Sequence, residues 1–163
     1  TGAILHIVND ALMTLCLFLA AATIYYRIGS LHFDNLKGLY QRMPLTMAAF
    51  TVGAFSMIGV PPTAGFFSKW YLILGGIEAG HWEYVIALLF SSLVNAVLFF
   101  RLIEIAYFTE GDHGHGESLE PAAPAPWYMQ GSLLVTAAAL IIIGLGSGQL
   151  VQGVIKLALP AGF

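Results

Sequence analysis

The fold of this chain is decided by the stretch from Gly59 to Trp70, which reads GVPPTAGFFSKW. Its two consecutive prolines interrupt a helix, because proline lacks an N–H donor and pushes the residue before it out of the helical region. Long apolar stretches lie on both sides, and Lys69 is a lone cation between them. An ionisable side chain at membrane depth is costly and usually marks an ion or proton pathway. The stretch therefore predicts an interrupted membrane helix with a role in transport.

Composition identifies the chain as an integral membrane protein. Of its 163 residues, 58% are hydrophobic and 9% are charged, whereas soluble domains carry about 25% charged residues. We expect a multi-pass protein in the lipid bilayer. The net charge is −3 and no basic run is present, which argues against a nucleic-acid partner. Cys16 is the single cysteine, so the chain has no internal disulfide and no cysteine-based metal site.

Five apolar segments approach the length of about 20 residues that a membrane-spanning helix needs. The sequence therefore predicts an all-α, polytopic membrane bundle of about five transmembrane helices, interrupted near Pro61 and Pro62, with Gly65 adding flexibility to the break. The predicted helices cover residues 3–25, 44–60, 63–79, 82–108 and 127–150. The chain lacks a starting Met, and its first helix begins at once. We therefore expect residues 1–163 to be a fragment of a longer protein.

Polar residues form a stripe on the first predicted helix. His6, Asp10 and Thr14 are spaced four apart, so they share one helix face. Imidazole and carboxylate groups can both pass on a proton, which indicates a proton relay. The alternative is a hydrated helix end near the lipid headgroups, where these side chains have a structural role.

The break and Lys69 allow two interpretations each. Carbonyls released by an interrupted helix can coordinate a cation or water, as in the discontinuous helices of transporters. Alternatively, the prolines form an ordinary turn between two hairpinned helices. A buried lysine can bind and release a proton near neutral pH, whereas a lysine near a helix end can extend its ammonium to the membrane surface.

The other polar groups predict structural roles. Arg101 and Glu104 are three residues apart and can form an ion pair on one helix face. Ser91 and Asn95 lie in the middle of the same helix, where hydrogen bonding to another helix is expected. We predict no metal site and no cofactor. His113 and His115 lack a third ligand in their loop, and the glycine-rich run at 144–148 has no preceding strand.

Three stretches resemble one known family: HIVNDALMT at 6–14, MPLT at 43–46 and GVPPTAGFFSK at 59–69. They are similar to the antiporter-like subunits shared by respiratory complex I and the Mrp-type monovalent cation/proton antiporters, most of all to the D-type subunit of the Mrp antiporters. The resemblance implies two inverted helical repeats, of which this chain would hold the C-terminal one. It also implies that Lys69 takes part in proton translocation and that His6 belongs to a central hydrophilic axis.

The chain departs from the family at two positions. The family commonly has a histidine at Asp10 and often a lysine at Thr14. A carboxylate can still carry a proton, but a threonine cannot hold charge, so the relay is shorter here. The positive charges of loop 27–43 predict a cytoplasmic position, whereas the family's topology places this loop outside. The orientation in the membrane therefore stays open.

The resemblance implies a transporter subunit more than a catalyst. The leading hypothesis is proton/monovalent-cation translocation, specifically Na⁺/H⁺ exchange, with the other subunits of a membrane antiporter as partners. The alternative is a proton-pumping membrane-arm subunit of an NADH–quinone oxidoreductase. A third interpretation is a structural scaffold whose polar residues only pack helices.

Overall fold

The computed structural model describes residues 2–109 and 125–150, and the regular structure in these two ranges is entirely helical. A short 3₁₀ turn, Phe33–Leu36, lies between the first two helices. The α-helices are α1 (Gly2–Ile28), α2 (Leu39–Arg42), α3 (Pro44–Ile58), α4 (Ala64–Glu78), α5 (Trp82–Phe108), α6 (Trp127–Leu145) and α7 (Ser147–Leu150). The prediction of an all-α, polytopic bundle is confirmed.

Helix lengths divide the predicted segments into two kinds. In the described part of the chain, α1, α5 and α6 are long and apolar enough to cross a membrane by themselves. In contrast, α3 and α4 have 15 residues each. Each is thus about 22 Å long, shorter than the roughly 30 Å hydrocarbon core of a bilayer. The five apolar segments are therefore not five independent spans.

Together, α3 and α4 form one interrupted span. The Cys16 thiol of α1 lies 3.6 Å from the Ala49 carbonyl oxygen of α3, and His6 lies 3.1 Å from Ser68 of α4. Contact positions thus move towards the start of α1 as the chain proceeds from α3 through α4. Both helices run antiparallel to α1 and in the same direction as each other, so they do not form a hairpin.

The break between these helices has a clear local cause. At its C-terminal cap, α3 has Gly59 in the left-handed conformation, with φ of 97°, which glycine adopts without steric cost. Pro61 and Pro62 follow in the turn. The backbone is extended again at Thr63, and α4 begins at Ala64. The prediction of a helix break at the two prolines agrees with this geometry.

Gly65 lies in the first turn of α4 and not in the break, which corrects its predicted position. A Cβ atom there would collide with the Ser56 carbonyl oxygen of α3. The Ser56 hydroxyl also accepts a hydrogen bond of 3.1 Å from the Gly65 backbone N–H. Gly65 is therefore required for the close contact of the two half-helices, a reason that the sequence alone does not reveal.

The core lies where α1, α3, α4 and α6 meet. Many of its side chains are small, which allows helix backbones to approach closely in a membrane protein. The buried cluster comprises Met13, Cys16, Ala20, Ala49, Ala64, Leu133, Ala137 and Leu140. Because Cys16 is fully buried in this cluster, it acts there as a small apolar side chain.

Two further helices complete the surroundings of the break. On one side, α5 runs antiparallel to the interrupted span, and its Val85 and Ser92 lie against Gly76 and Lys69 of α4. On another side, α6 is so close that a Cβ atom on Gly144 would collide with the Pro62 carbonyl oxygen. The predicted last helix is shorter than expected, because a turn at Gly146 separates α6 from α7.

Candidate functional site

The ammonium group of Lys69 is held by three oxygen atoms at the break. Its Nζ atom donates to the carbonyl oxygens of Met57 at 2.6 Å and Ile58 at 3.2 Å. It also donates to the Ser92 hydroxyl of α5 at 2.8 Å. An ammonium group has three donors, so each donor has one partner. All three partners are electrically neutral.

These carbonyls are available because α3 ends where it does. The last carbonyls of a helix have no partner within the helix. The N–H groups of Gly59 and Val60 both bind the Phe55 carbonyl oxygen, at 2.9 Å each, which leaves the Met57 and Ile58 carbonyls for Lys69. The C-terminal end of a helix also carries a partial negative charge that attracts cations. Lys69 thus caps α3 from the following helix.

The path of the Lys69 side chain depends on Gly59. The lysine extends back from α4, and its Cδ atom would lie only 3.3 Å from a Cβ atom on Gly59. A side chain at position 59 would therefore crowd the lysine, in addition to straining the left-handed backbone. The half-buried Lys69 side chain is directed at protein oxygens, an arrangement that differs from a lysine extended towards the membrane surface.

His6 binds the residue beside Lys69. Its Nδ1 atom lies 3.1 Å from the Ser68 hydroxyl oxygen, which itself donates to the Gly65 carbonyl oxygen at 3.1 Å. A hydroxyl has one proton to donate, so the Ser68–Gly65 bond favours the His6 tautomer that carries its proton at Nδ1 and donates it to Ser68. Nε2 of the neutral ring is then available as a proton acceptor. Ser68 is fully buried, so this pairing is shielded from solvent.

The remaining polar residues of α1 divide between the core and the surface. Asn9 is fully buried and donates from Nδ2 to the Ala64 carbonyl oxygen at 2.9 Å, at the start of α4. Its Oδ1 atom has no partner within the described residues. Asp10 is exposed. Of the predicted stripe, His6 is the residue whose side chain hydrogen-bonds α4 in the described part of the chain.

The first turns of α4 connect these groups. Ser68 faces α1 and binds His6, whereas Lys69 faces the end of α3 and binds Ser92 of α5. Two consecutive residues thus link an imidazole on one side of the interrupted span to an ammonium group on the other. The arrangement can hold a proton at two separate positions, and a change in the break would move both.

Other predicted residues lie elsewhere. Arg101 and Glu104 form an ion pair of 2.9 Å near the end of α5, with most of both side chains exposed. Such an exposed pair contributes about 1 kcal/mol or less. His113 and His115 lie outside the described residues. Within 2–109 and 125–150, no group of three or more His, Cys, Asp or Glu side chains could hold a metal ion.

Sequence reasoning missed Ser68 and Ser92 as members of the site. Ser68 directly precedes Lys69 within the broken-helix stretch, so its position was a usable signal. No feature of the sequence pointed to Ser92, because the interhelical hydrogen bond was expected at Ser91 and Asn95. Ser91 is exposed in the structure, since the rotation of α5 about its axis turns Ser92 towards Lys69.

Comparisons with known proteins identify the family of this chain. Residues 1–95 match the family described as NADH:quinone oxidoreductase/Mrp antiporter, transmembrane. The chain is 41% identical to NADH-quinone oxidoreductase subunit N of Desulforudis audaxviator, over 98% of this chain and 33% of that protein. It is 31% identical to the putative antiporter subunit mnhD2 of Staphylococcus epidermidis, over 90% of this chain and 28% of that protein.

A solved structure has the same arrangement of helices. It is the membrane-bound sulfane sulfur reductase, an archaeal respiratory membrane complex, with a TM-score of 0.80 and 29% identity. The match covers 96% of this chain and 30% of that one. The chain thus spans about a third of the length of the curated relatives that it matches.

Proposed function

Because the chain belongs to the NADH:quinone oxidoreductase/Mrp antiporter transmembrane family, we propose that it is part of a subunit that translocates protons and monovalent cations. In this proposal, Lys69 is the proton carrier at the break. One observation carries the assignment: the Lys69 ammonium is held by neutral oxygens at the C-terminal end of an interrupted helix. Discontinuous helices of this kind build the ion sites of many transporters.

Neutral partners suit a lysine that must both bind and release a proton. A carboxylate partner would stabilise the charged form strongly, because an opposite charge nearby favours ionisation. Here the ammonium depends on dipoles and on hydrogen bonds to a charged group, which contribute about 1.5–3 kcal/mol each. A small movement of α3 relative to α4 would lengthen the bonds to Met57 and Ile58. Such a movement would favour release of the proton.

His6 is the second proton-carrying residue in the proposal. The hydrogen bond to Ser68 orients its ring and leaves Nε2 of the neutral form able to accept a proton. The position of His6 on α1, next to α4, agrees with the central hydrophilic axis that the resemblance implies. Asp10 contributes its charge to this region from the surface of α1.

The leading version of the proposal is exchange of protons for a monovalent cation, specifically Na⁺, within a multi-subunit antiporter. Support comes from the 31% identity to the putative antiporter subunit and from the neutral oxygen ligands at the break. The other subunits of such an assembly would be its partners, and a bacterial plasma membrane would be its location.

The second version is a proton-pumping membrane-arm subunit of an NADH–quinone oxidoreductase. A specific observation favours it: the identity to the subunit N relative is 41%, compared with 31% for the antiporter relative. In that case, this chain would move protons in response to redox chemistry in other subunits, and it would carry no redox group itself.

Both versions of the proposal assign Lys69 as a proton carrier. Lys69→Met in the full-length subunit, assembled in its complex, tests this assignment. We expect proton movement in everted membrane vesicles, measured with a pH-sensitive dye, to fall to the background of vesicles without the complex. Lys37→Met is the matched control, because Lys37 lies in a loop and pairs with Asp34 at 2.9 Å. Proton movement at the wild-type rate in Lys69→Met vesicles would refute the role of Lys69.

A second experiment separates the two versions. The purified complex is analysed for flavin and iron–sulfur clusters, and vesicles are energised either with NADH or with an imposed sodium gradient. An antiporter responds to the sodium gradient and contains neither group. A redox-driven complex contains them and acidifies vesicles only when NADH is supplied.

A further inference from the structure

We infer that the bundle binds one phospholipid with a negatively charged headgroup beside loop 27–43. In this arrangement, an acyl chain fills an apolar cavity and the phosphate binds Arg27 and Arg42. Two observations carry the inference: a cavity of about 180 Å³ with an apolar lining, and two arginines beside it that no described carboxylate pairs with. The inference goes beyond the proposed function, because it concerns a surface other than the break and requires no ion movement.

The cavity lies where α1, α3 and α5 meet the loop that follows α1. Every described residue that lines it is apolar, including Ile24 of α1, Phe50 of α3 and Leu102 of α5. In other proteins, an apolar cavity of roughly 150 Å³ stays dry and binds apolar molecules. Leu31 also lines the cavity, and half of its surface is exposed. The cavity therefore opens to the outside of the bundle at Leu31, and its chemistry fits an apolar occupant.

The position of the cavity along α1 matches the start of an acyl chain. With 27 residues, α1 is about 40 Å long, so it extends past the roughly 30 Å hydrocarbon core of a bilayer. Tyr25, Tyr26 and Tyr40 are exposed near its C-terminal end, as aromatic side chains at a membrane interface commonly are. Ile24 lies about 4.5 Å deeper along the helix than Arg27. An acyl chain in the cavity would thus begin directly below a headgroup at Arg27.

The charge beside the cavity is complementary to a phosphate. Loop 27–43 carries the cations Arg27, Lys37 and Arg42 and the single carboxylate Asp34. Because Lys37 pairs with Asp34 at 2.9 Å, the two arginines are left without an acidic partner among residues 2–109 and 125–150. Arginine binds phosphate with two parallel N–H donors, and basic pockets between membrane helices bind anionic headgroups. The arginines therefore favour an anionic lipid over a neutral one.

One hydrogen bond holds the two arginines together. Arg27 donates from Nη1 to the Arg42 carbonyl oxygen at 2.8 Å, which uses one of the five N–H donors of its guanidinium group. Arg27 lies three residues after the cavity-lining Ile24, and Arg42 lies three residues after the cavity-lining Leu39. Each arginine is thus about one helical turn from the cavity, so one molecule can contact the cavity and both arginines.

A phospholipid satisfies both features, whereas other occupants satisfy one. A free phosphate would bind the arginines and leave the cavity empty, and an uncharged apolar molecule would do the reverse. The sequence that follows α5 carries four carboxylates, at Glu110, Asp112, Glu117 and Glu120, which are the alternative partners for the arginines. If the carboxylates occupied them, lipid binding would not depend on headgroup charge.

Lipid counting on the purified full-length complex tests headgroup recognition. The complex is depleted of lipid in detergent and titrated with phosphatidylglycerol, and bound lipids are counted by mass spectrometry of the intact complex. Arg42→Gln should weaken binding of one lipid about fivefold, and it keeps the backbone carbonyl that Arg27 binds. Arg101→Gln is the control that removes the same charge, because Arg101 already pairs with Glu104. Phosphatidylcholine, which has no net charge, should bind the wild type and Arg42→Gln equally.

Ala21→Leu tests the cavity without changing any charge. Ala21 lines the cavity, so the larger side chain should fill it and weaken binding of the same phosphatidylglycerol molecule at least tenfold. Ala22→Leu is the matched control, because Ala22 is the neighbouring alanine and is exposed. The headgroup alone, glycerophosphoglycerol, should bind neither variant nor the wild type at concentrations that saturate the lipid. Wild-type proton movement in vesicles shows that each variant is folded and assembled.

Each result supports the lipid site or refutes it. Equal phosphatidylglycerol affinities for Arg42→Gln and Arg101→Gln would refute it, as expected if carboxylates occupy the arginines. Equal affinities for Ala21→Leu and Ala22→Leu would refute an acyl chain in the cavity. Binding of glycerophosphoglycerol as tight as that of the lipid would also refute it. None of these results bears on Lys69, so the lipid site can fail while the proposed function holds.

Discussion

Two lysines of this chain show how the region around a side chain decides its chemistry. Lys69 lies at the break between α3 and α4, where two helix-end carbonyls and a hydroxyl bind its ammonium group. Lys37 lies in the loop between α1 and α3, and its ammonium pairs with the Asp34 carboxylate at 2.9 Å. One ammonium has neutral partners in a half-buried site. The other has a full counter-charge at the surface.

The difference follows from the backbone. An interrupted helix leaves carbonyls without partners inside the bundle, and only a cation or another donor can satisfy them there. In the exposed loop, the backbone groups of the short 3₁₀ turn can bind water instead. Asp34 lies three residues before Lys37 and pairs with it there. The hydrogen bond from Lys37 therefore lowers the pKa of Asp34 below its ordinary value. The break, and not the lysine alone, makes Lys69 a candidate for transport.

Gly65→Val should have the largest effect, because it disrupts the close contact between the two half-helices. The new side chain would collide with the Ser56 carbonyl oxygen in the packed contact between α3 and α4, where overpacking costs about 1–3 kcal/mol or more. We expect little folded protein in the membrane fraction and a lower unfolding temperature for what remains. Gly75→Ala is the control, since among the described residues no atom beyond the local helix backbone lies within 4 Å of the new Cβ. Similar yields and unfolding temperatures for both variants would contradict the close contact.

Ser92→Ala should have the next largest effect, because it leaves the ammonium of Lys69 with its two carbonyl partners. Loss of a hydrogen bond to a charged group costs about 1.5–3 kcal/mol, which corresponds to a reduction in proton-movement rate of about tenfold or more. The rate is measured in vesicles with a pH-sensitive dye, next to Ser91→Ala. A Ser92→Ala rate equal to that of Ser91→Ala would show that Lys69 does not depend on α5.

Ser68→Ala should have a smaller effect, because it leaves Lys69 intact and removes the partner that orients His6. We expect a few-fold slower proton movement and a mixture of the two neutral imidazole tautomers in place of the Nδ1–H form. Nitrogen NMR of labelled histidine distinguishes the two tautomers. Ser132→Ala in α6 is a suitable control, since this exposed hydroxyl binds the Met129 carbonyl in its own helix. An unchanged histidine spectrum in Ser68→Ala would argue against the His6–Ser68 bond.

Lys37→Met should have the smallest effect on proton movement, because Lys37 is the surface lysine of the two. Because Lys37 lowers the pKa of Asp34, the ionised carboxylate stabilises the fold above its ordinary pKa. This contribution disappears as the pH falls through the lowered pKa. In Lys37→Met, the Asp34 pKa should return towards its ordinary value, as measured by carbon NMR, with proton movement unchanged. Lys37→Arg should keep the pKa low. If Lys37→Met leaves the pKa where it is, the pairing is absent in solution.

Much of this architecture could be predicted from the sequence. The family resemblance read from three stretches is confirmed by the match over residues 1–95, and the two prolines correctly located the interruption. The resemblance also pointed to His6 and Lys69, and His6 contacts Ser68, the residue directly before Lys69 in α4. The position of Asp10 relative to this site could not be predicted from the resemblance. Spacing alone does not reveal that Asp10 is exposed while Asn9 is buried against α4.

Composition and proline chemistry by themselves determined that the chain is a helical membrane protein with an interrupted span, because both depend on local properties of the residues. Only the tertiary structure decided that α3 and α4 continue in one direction, that Gly65 is a contact point, and that Ser92 completes the Lys69 site. These features depend on how helices rotate and pack against one another. The same local sequence is compatible with several such rotations, and contacts among distant residues select one of them.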